Sequence, residues 1–304
     1  MTELLGIMFN VITPVFLVIG MGVVIGRRFR PDPRAISVLL IYLFVPALAF
    51  DGIAHSDLTG AELVGIAGAA AGIALLMALI GLGVSRALRF ERRLASAFLI
   101  SVIMMNAANY GIPLNRFAFG PSGEQRAIIY YVMSVVVGAT LGIFFASRGT
   151  ASVRGALLNV LRVPISYAAV AGLLVNLAGW QIPLPLERGI GILAQGAVPG
   201  MLALLGLQLA HTRALCGRWV PIALASGMRL VLAPLLAIPL ALALGLTGVT
   251  FQVAVVSSSM PTAVMANALA TQFGSDAEFT AAVTLVSTLA SVLTLSVLLA
   301  LLMG

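Results

Sequence analysis

Two short polar stretches inside hydrophobic sequence carry the residues of this chain best suited to chemistry. The first is Asn106-Ala107-Ala108-Asn109-Tyr110-Gly111-Ile112-Pro113, two amides beside a glycine and a proline that both weaken a helix. The second is Ser257-Ser258-Ser259-Met260-Pro261, three consecutive hydroxyls ahead of a proline that cannot donate a main-chain hydrogen bond. Each lies in an apolar run long enough to cross a bilayer, where an unpaired main-chain group is costly unless water, a side chain or a ligand meets it. Two interrupted spans at matching positions of two halves point to a transporter's substrate site. The half-helices expected to begin near Pro113 and Pro261 present positive dipole ends, and the halves before them negative ones. With Asn106, Asn109, Ser257, Ser258 and Ser259 around them, such ends can hold an ion or a carboxylate, and the dipoles alone do not choose the sign. The plainer alternative for each side chain is that it caps a broken helix.

Three further features bear on the site. Arg229 is the only basic residue well inside a span, where a charge costs at least ~2.5–3.5 kcal/mol on insertion scales. Either it binds an anionic substrate or balances an acid, or it extends its long stem to the cytoplasmic surface. Asp51, His55, Asp57 and Glu62 cluster between the second and third spans, as a proton relay or, the favoured alternative, as a solvated loop. Asn267, six residues past Pro261, faces the site or a neighbouring helix.

Composition sets the surroundings these residues need. The chain is 61% hydrophobic and 9% charged, against roughly 45–50% apolar and about 25% charged in soluble domains, so it belongs in a membrane. A net charge of +7 would suggest nucleic acid in a soluble protein, but here the basic residues fall in short loops between apolar spans and read as topology signals. Cys216 is the single cysteine and His55 and His211 the only histidines, so neither a disulfide nor a metal site is expected. Enzyme motifs are missing, and a chain without lysine cannot form a P-loop, so no catalytic activity, cofactor or ATP-driven pumping is expected.

Ten segments are long enough to span, near 4–26, 35–54, 61–85, 94–118, 125–146, 163–180, 187–210, 220–245, 250–273 and 278–303. The first lacks a basic n-region and a cleavage site and reads as a retained span. Loops after odd-numbered spans hold Arg27, Arg28, Arg30, Arg34, Arg86, Arg89, Arg92, Arg93, Arg148, Arg154, Arg162, Arg213 and Arg218, whereas the opposite side holds Arg116, Arg126 and Arg188. The positive-inside rule then puts both termini outside the cytoplasm.

Landmarks recur at nearly one offset. Pro14 and Pro164 open the first and sixth spans, and Val45-Pro46-Ala47 and Val198-Pro199-Gly200 are expected to interrupt the second and seventh. Pro113 and Pro261 mark the broken spans, and Phe119-Gly120 and Phe273-Gly274 close them. Five spans per copy is an odd number, so the second copy must insert upside down relative to the first. G-x-x-x-G pairs such as Gly22 and Gly26 read as ordinary close packing of helices.

The stretch from Asn106 to its Gly-Ile-Pro ending, Met260-Pro261 leading to Phe273-Gly274, and the Val-Pro dipeptides at 45–46 and 198–199 resemble the auxin efflux carrier family over essentially the whole chain. That family includes bacterial malonate and malate carriers. The resemblance implies an all-α integral membrane protein of the cytoplasmic membrane, with ten transmembrane helices in two inverted five-helix repeats. The repeats would be 1–146 and 163–304, joined by a short cytoplasmic connection 147–162, with helices 4 and 9 broken and crossing. It implies a secondary transporter of mono- or dicarboxylates, with Asn106 contacting the substrate carboxylate and the Ser257–Ser259 region opposite it. An elevator-like motion and a homodimer are further implications. A sodium-coupled symporter of the bile acid type, similar in fold, is the alternative; that group holds sodium with acidic or glutamine side chains around its crossovers, whereas the two breaks here contain neither Asp nor Glu. Moving a monoanion out across a negative-inside potential gains ~2.3 kcal/mol per 100 mV, so efflux would need no coupled ion.

Overall fold

Hydrophobic runs that must pair every main-chain group without water fold as helices. In the computed structural model, which describes residues 6, 8–146, 164–211 and 217–303, all regular elements among the described residues are helical. They are α1 (Thr13–Phe29), α2 (Pro33–Ala54), α3 (Gly60–Ala87), α4 (Arg92–Ile103), α5 (Ile112–Ala146), α6 (Pro164–Ala178), α7 (Leu184–His211), α8 (Trp219–Ala243), α9 (Gly248–Ser258), α10 (Val264–Gln272) and α11 (Ala277–Met303). Six of them, α1 (counted from Asn10), α2, α3, α7, α8 and α11, are long and apolar enough to cross a membrane; α6 and α9 are shorter apolar helices. Large apolar side chains such as Leu17, Val24, Val64, Leu79, Leu174, Leu289 and Leu293 cover the outside. The exposed Trp180 and Trp219 follow the end of α6 and open α8, the interfacial positions where indoles collect. Arg148, Arg154, Arg162, Arg213, Cys216 and the whole 147–162 connection lie outside the described residues.

Four prolines are accommodated by one device. Single π turns at Met8–Ile12, Leu40–Phe44, Ala107–Gly111 and Met228–Leu232 end two residues before Pro14, Pro46, Pro113 and Pro234. A proline removes one hydrogen bond and collides with the carbonyl four residues back, and a π turn at that carbonyl moves it aside. The dipeptide Val45-Pro46 therefore does not interrupt its span, contrary to the sequence expectation: α2 runs on to Ala54. Nor does Val198-Pro199 interrupt α7, which is continuous from Leu184 to His211.

The same device displaces the first break. Pro113 is absorbed by its π turn, so the following half-helix starts at Ala107 rather than near Pro113, and the chain leaves the helix at Met104–Asn106. The second break falls between Ser258 and Val264, where the serines and Pro261 place it. Gly120, at φ 66° and ψ −159°, divides the α5 run into two helices and so ends the first broken segment, and Gly274, at φ 65°, ends the second; positive φ favours glycine at both.

Packing is closest where α1 crosses α7. A Cβ on Gly22 would lie 2.5 Å from the Ala203 carbonyl oxygen and 3.0 Å from Gly206 Cα, so the backbones touch. The α2–α6 contact repeats this arrangement: a Cβ on Gly172 would sit 2.7 Å from the Phe50 carbonyl oxygen. Buried residues of α2, α6 and α7, including Leu40, Ala49, Ile165 and Met201, form one apolar cluster. The broken helices sit in a larger one around Ile73, Phe98, Val255 and Phe279.

Contacts between loops sort the helix ends into two sides. Arg218 pairs with Asp276, and Arg93 donates to the Gly274 carbonyl at 3.1 Å, which joins the ends after α3, α7 and α10. At the other end Arg126 pairs with Glu62 at 2.9 Å and bonds Thr250 at 2.7 Å. His55 there lies 3.8 Å from Glu187. Glu62 and Thr59 also cap α3 reciprocally: Thr59 N–H donates to Glu62 Oε2 at 3.0 Å and Glu62 N–H to Thr59 Oγ1 at 3.3 Å. Thr59→Ala is expected to cost about 1 kcal/mol, a fall of roughly 2–4 °C in Tm on thermal unfolding in detergent. An unchanged Tm would show the cap to be idle.

Candidate functional site

The two breaks lie side by side and antiparallel. Met105 and Thr262 face each other in an isolated bridge, with Asn106 N–H donating to the Pro261 carbonyl at 2.8 Å and Ala263 N–H to the Met104 carbonyl at 2.9 Å. Each break thus supplies main-chain partners that the other lost on leaving the helix. Two further carbonyls near the helix ends go to side chains: Thr262 Oγ1 donates to Ser101 O at 2.9 Å, and Ser259 Oγ to Val255 O at 2.7 Å. This pairing brings together the C-terminal ends of α4 and α9 and the N-terminal ends of the half-helices at Ala107 and Val264.

Arg229 occupies the negative side of that meeting point. Fully buried on the π turn of α8, it donates through Nε to Met260 O at 3.2 Å and through Nη1 to Val102 O at 3.3 Å. Its Nη2 donates to Ser258 O at 2.7 Å and to Met260 O at 2.9 Å. Among the described residues no carboxylate pairs with it. Snorkelling to the surface, one of the readings open from sequence, is therefore excluded: the guanidinium turns inward onto carbonyls at the ends of two helices.

Side-chain polarity is concentrated around the bridge. Asn106 is buried and its Nδ2 has no partner among the described residues. Asn115, also buried, donates to Gly111 O at 2.8 Å and to Ser257 Oγ at 3.2 Å, which leaves its Oδ1 unpartnered. Ser258 Oγ lies 2.7 Å from the Tyr130 hydroxyl, and Thr262 N–H donates to Ser287 Oγ at 3.2 Å. A buried amide donor and a buried amide acceptor left open beside convergent helix ends are what a polar guest would need.

A family model described as a membrane transport protein matches this chain over residues 7–152 and 148–299. The chain belongs to the auxin efflux carrier family. Among relatives of this carrier family, an uncharacterized transporter of Methanothermobacter thermautotrophicus is 27% identical over 274 residues, 90% of each chain. Another, from Methanocaldococcus jannaschii, is 25% identical over 210 residues, 68% of each. The chain is thus a multi-pass membrane transporter.

Of the residues singled out in this family member's sequence, Asn106, Pro113, Ser257, Ser258, Ser259, Pro261 and Arg229 are all buried at or next to the paired breaks. Asn109 is half-buried on the π turn. Ser259 spends its hydroxyl on its own helix, and Ser258 bonds both Ala254 O and Tyr130. Asn267 meets Thr280 of α11 at 3.3 Å, so it faces a neighbouring helix. Glu62 is engaged with Arg126, Thr250 and Thr59, while Asp51, His55 and Glu187 form a chain of partly exposed contacts, as a solvated loop would. Asn115, Thr262, Tyr130 and Ser287 escaped sequence reasoning. Asn115 alone left a signal, as an amide four residues past Gly111 and so one turn on the same face.

Proposed function

We propose that this transporter is a secondary carrier of small organic anions, mono- or dicarboxylates, that binds its substrate at the paired breaks and works by alternating access. The observation that carries the proposal is the Arg229 guanidinium on the carbonyls of Val102, Ser258 and Met260. A helix terminus is equivalent to about half an elementary charge, so the full charge of Arg229 offsets the two negative ends of α4 and α9. The two positive ends at Ala107 and Val264 remain, worth about one charge together. That surplus supports an anion, and the open Nδ2 of Asn106 is a donor suited to a carboxylate.

The frame of this reading is ten spans in two inverted five-helix repeats. Three features support it: the matching glycine contacts of α1 with α7 and of α6 with α2, the left-handed Gly120 and Gly274, and a family match divided near residue 150. With the arginine-rich side toward the cytoplasm, both termini lie on the non-cytoplasmic face of the membrane. A homodimer belongs to the same reading.

Purified protein screened by thermal shift against carboxylates and, in parallel, organic amines tests the assignment. Carboxylates are expected to raise Tm and amines to leave it unchanged. Silence across the carboxylates, or stabilisation by amines, would overturn it.

A further inference from the structure

Main-chain carbonyls converging from separate segments make a site for a cation. Here three of them, from Val102 in α4, Ser258 at the end of α9 and Met260 in the second break, are reached by a guanidinium from a third helix, α8. The Arg229 side chain is fully buried and without a carboxylate partner among the described residues, so its charge is met by helix-end carbonyls alone. Nε and both terminal nitrogens are engaged at once, which a planar fork can do and an ammonium, a single point of charge, cannot.

We propose that Arg229 is a positioning residue: a tethered cation that holds the two breaks together, without touching the substrate, in a site that an untethered guanidinium can refill. The link to substrate rests on the carrier reading above, whereas the cation site itself does not. Arg229 acts through α4 and α9. By fixing their ends it fixes the bridge of Met105 with Thr262, and with it the place where Asn106 leaves the helix.

The test uses the full chain in detergent. Tm is measured for wild type, Arg229→Lys and Arg229→Ala in ethylguanidinium chloride and, at equal ionic strength, tetramethylammonium chloride, which has no N–H donor. Arg229→Ala is expected to lower Tm by about 6 °C or more, as loss of a buried, fully bonded charge does. Ethylguanidinium should restore much of that loss in the alanine variant and give wild type no gain; tetramethylammonium should restore none. Arg229→Lys should fall between. With the carboxylate that shifts wild-type Tm most, the alanine variant should respond again only when ethylguanidinium is present.

An alanine variant as stable as wild type, or a loss that ethylguanidinium does not reverse, would overturn the cation site. Restored stability without a restored carboxylate response would overturn the positioning role. If Arg229→Ala is too unstable to purify, both salts are added during extraction. Recovery of folded protein in ethylguanidinium alone supports the proposal, and recovery in neither overturns it. Failure of the carrier reading registers separately, as wild type silent toward every carboxylate while the rescue still works.

Discussion

Asn106→Leu is expected to yield a folded protein, at least as stable as wild type, that binds the carboxylates of the proposed function more weakly. The buried Nδ2 of Asn106 has no partner among the described residues, and an open buried donor costs about 1–3 kcal/mol in the unliganded protein. Leucine fills similar space without that donor, so Tm should hold or rise. The main-chain bond from Asn106 N–H to Pro261 O does not depend on the side chain and should persist. Binding should move the other way: a hydrogen bond to a charged group is worth about 1.5–3 kcal/mol, so the carboxylate should bind roughly 10- to 150-fold more weakly. Stability and affinity are read in one experiment, thermal shift with increasing carboxylate. A leucine variant that unfolds would assign the amide to the scaffold, and one that keeps wild-type affinity would remove Asn106 from the site.

How far this site could be read from sequence depended on which partner each residue needed. The hydroxyls at 257–259 and Pro261 betray their break locally, because three side chains that compete for main-chain bonds sit before a residue with no N–H. The first break lies earlier than its local signals suggest. Gly111 and Pro113 weaken a helix locally, yet the π turn at Ala107–Gly111 accommodates them, and what opens the chain at Met104–Asn106 is its pairing with residues 261–263. A long-range partner has no local signature. The same holds for Val45-Pro46 and Val198-Pro199, which look like interruptions but lie in continuous spans. Arg229 was conspicuous as a charge in apolar sequence, but the direction of its side chain was set by carbonyls from two other helices. Tyr130 and Ser287 lie in long helical runs whose polar positions resemble routine membrane-helix packing. Chain order showed where polarity interrupts the apolar runs, and only three-dimensional pairing showed which interruptions meet.

Gly206→Ala is expected to damage the fold more than any other single added methyl in the α1–α7 contact. A Cβ at this position would collide with the Ile19 carbonyl oxygen and lie 2.8 Å from Gly22 Cα and 2.9 Å from Val23 N. All three are main-chain atoms of α1, which cannot swing aside as a flexible side chain can. The helices must separate along their length, and Gly22 and Gly26, which approach Ala203, Gly206 and Ala210, lose contact together. Overpacking of this kind costs about 1–3 kcal/mol, occasionally more, and the backbone targets put this case at the upper end, a Tm loss of roughly 6 °C or more. Gly20→Ala is the matched control. It lies on α1, the helix that Gly206 packs against, with nothing within 4 Å of its added methyl, and helix propensity favours alanine by about 0.5–1 kcal/mol. The two variants should therefore shift Tm in opposite directions, and equal behaviour of the pair would mean that α1 and α7 do not pack through Gly206.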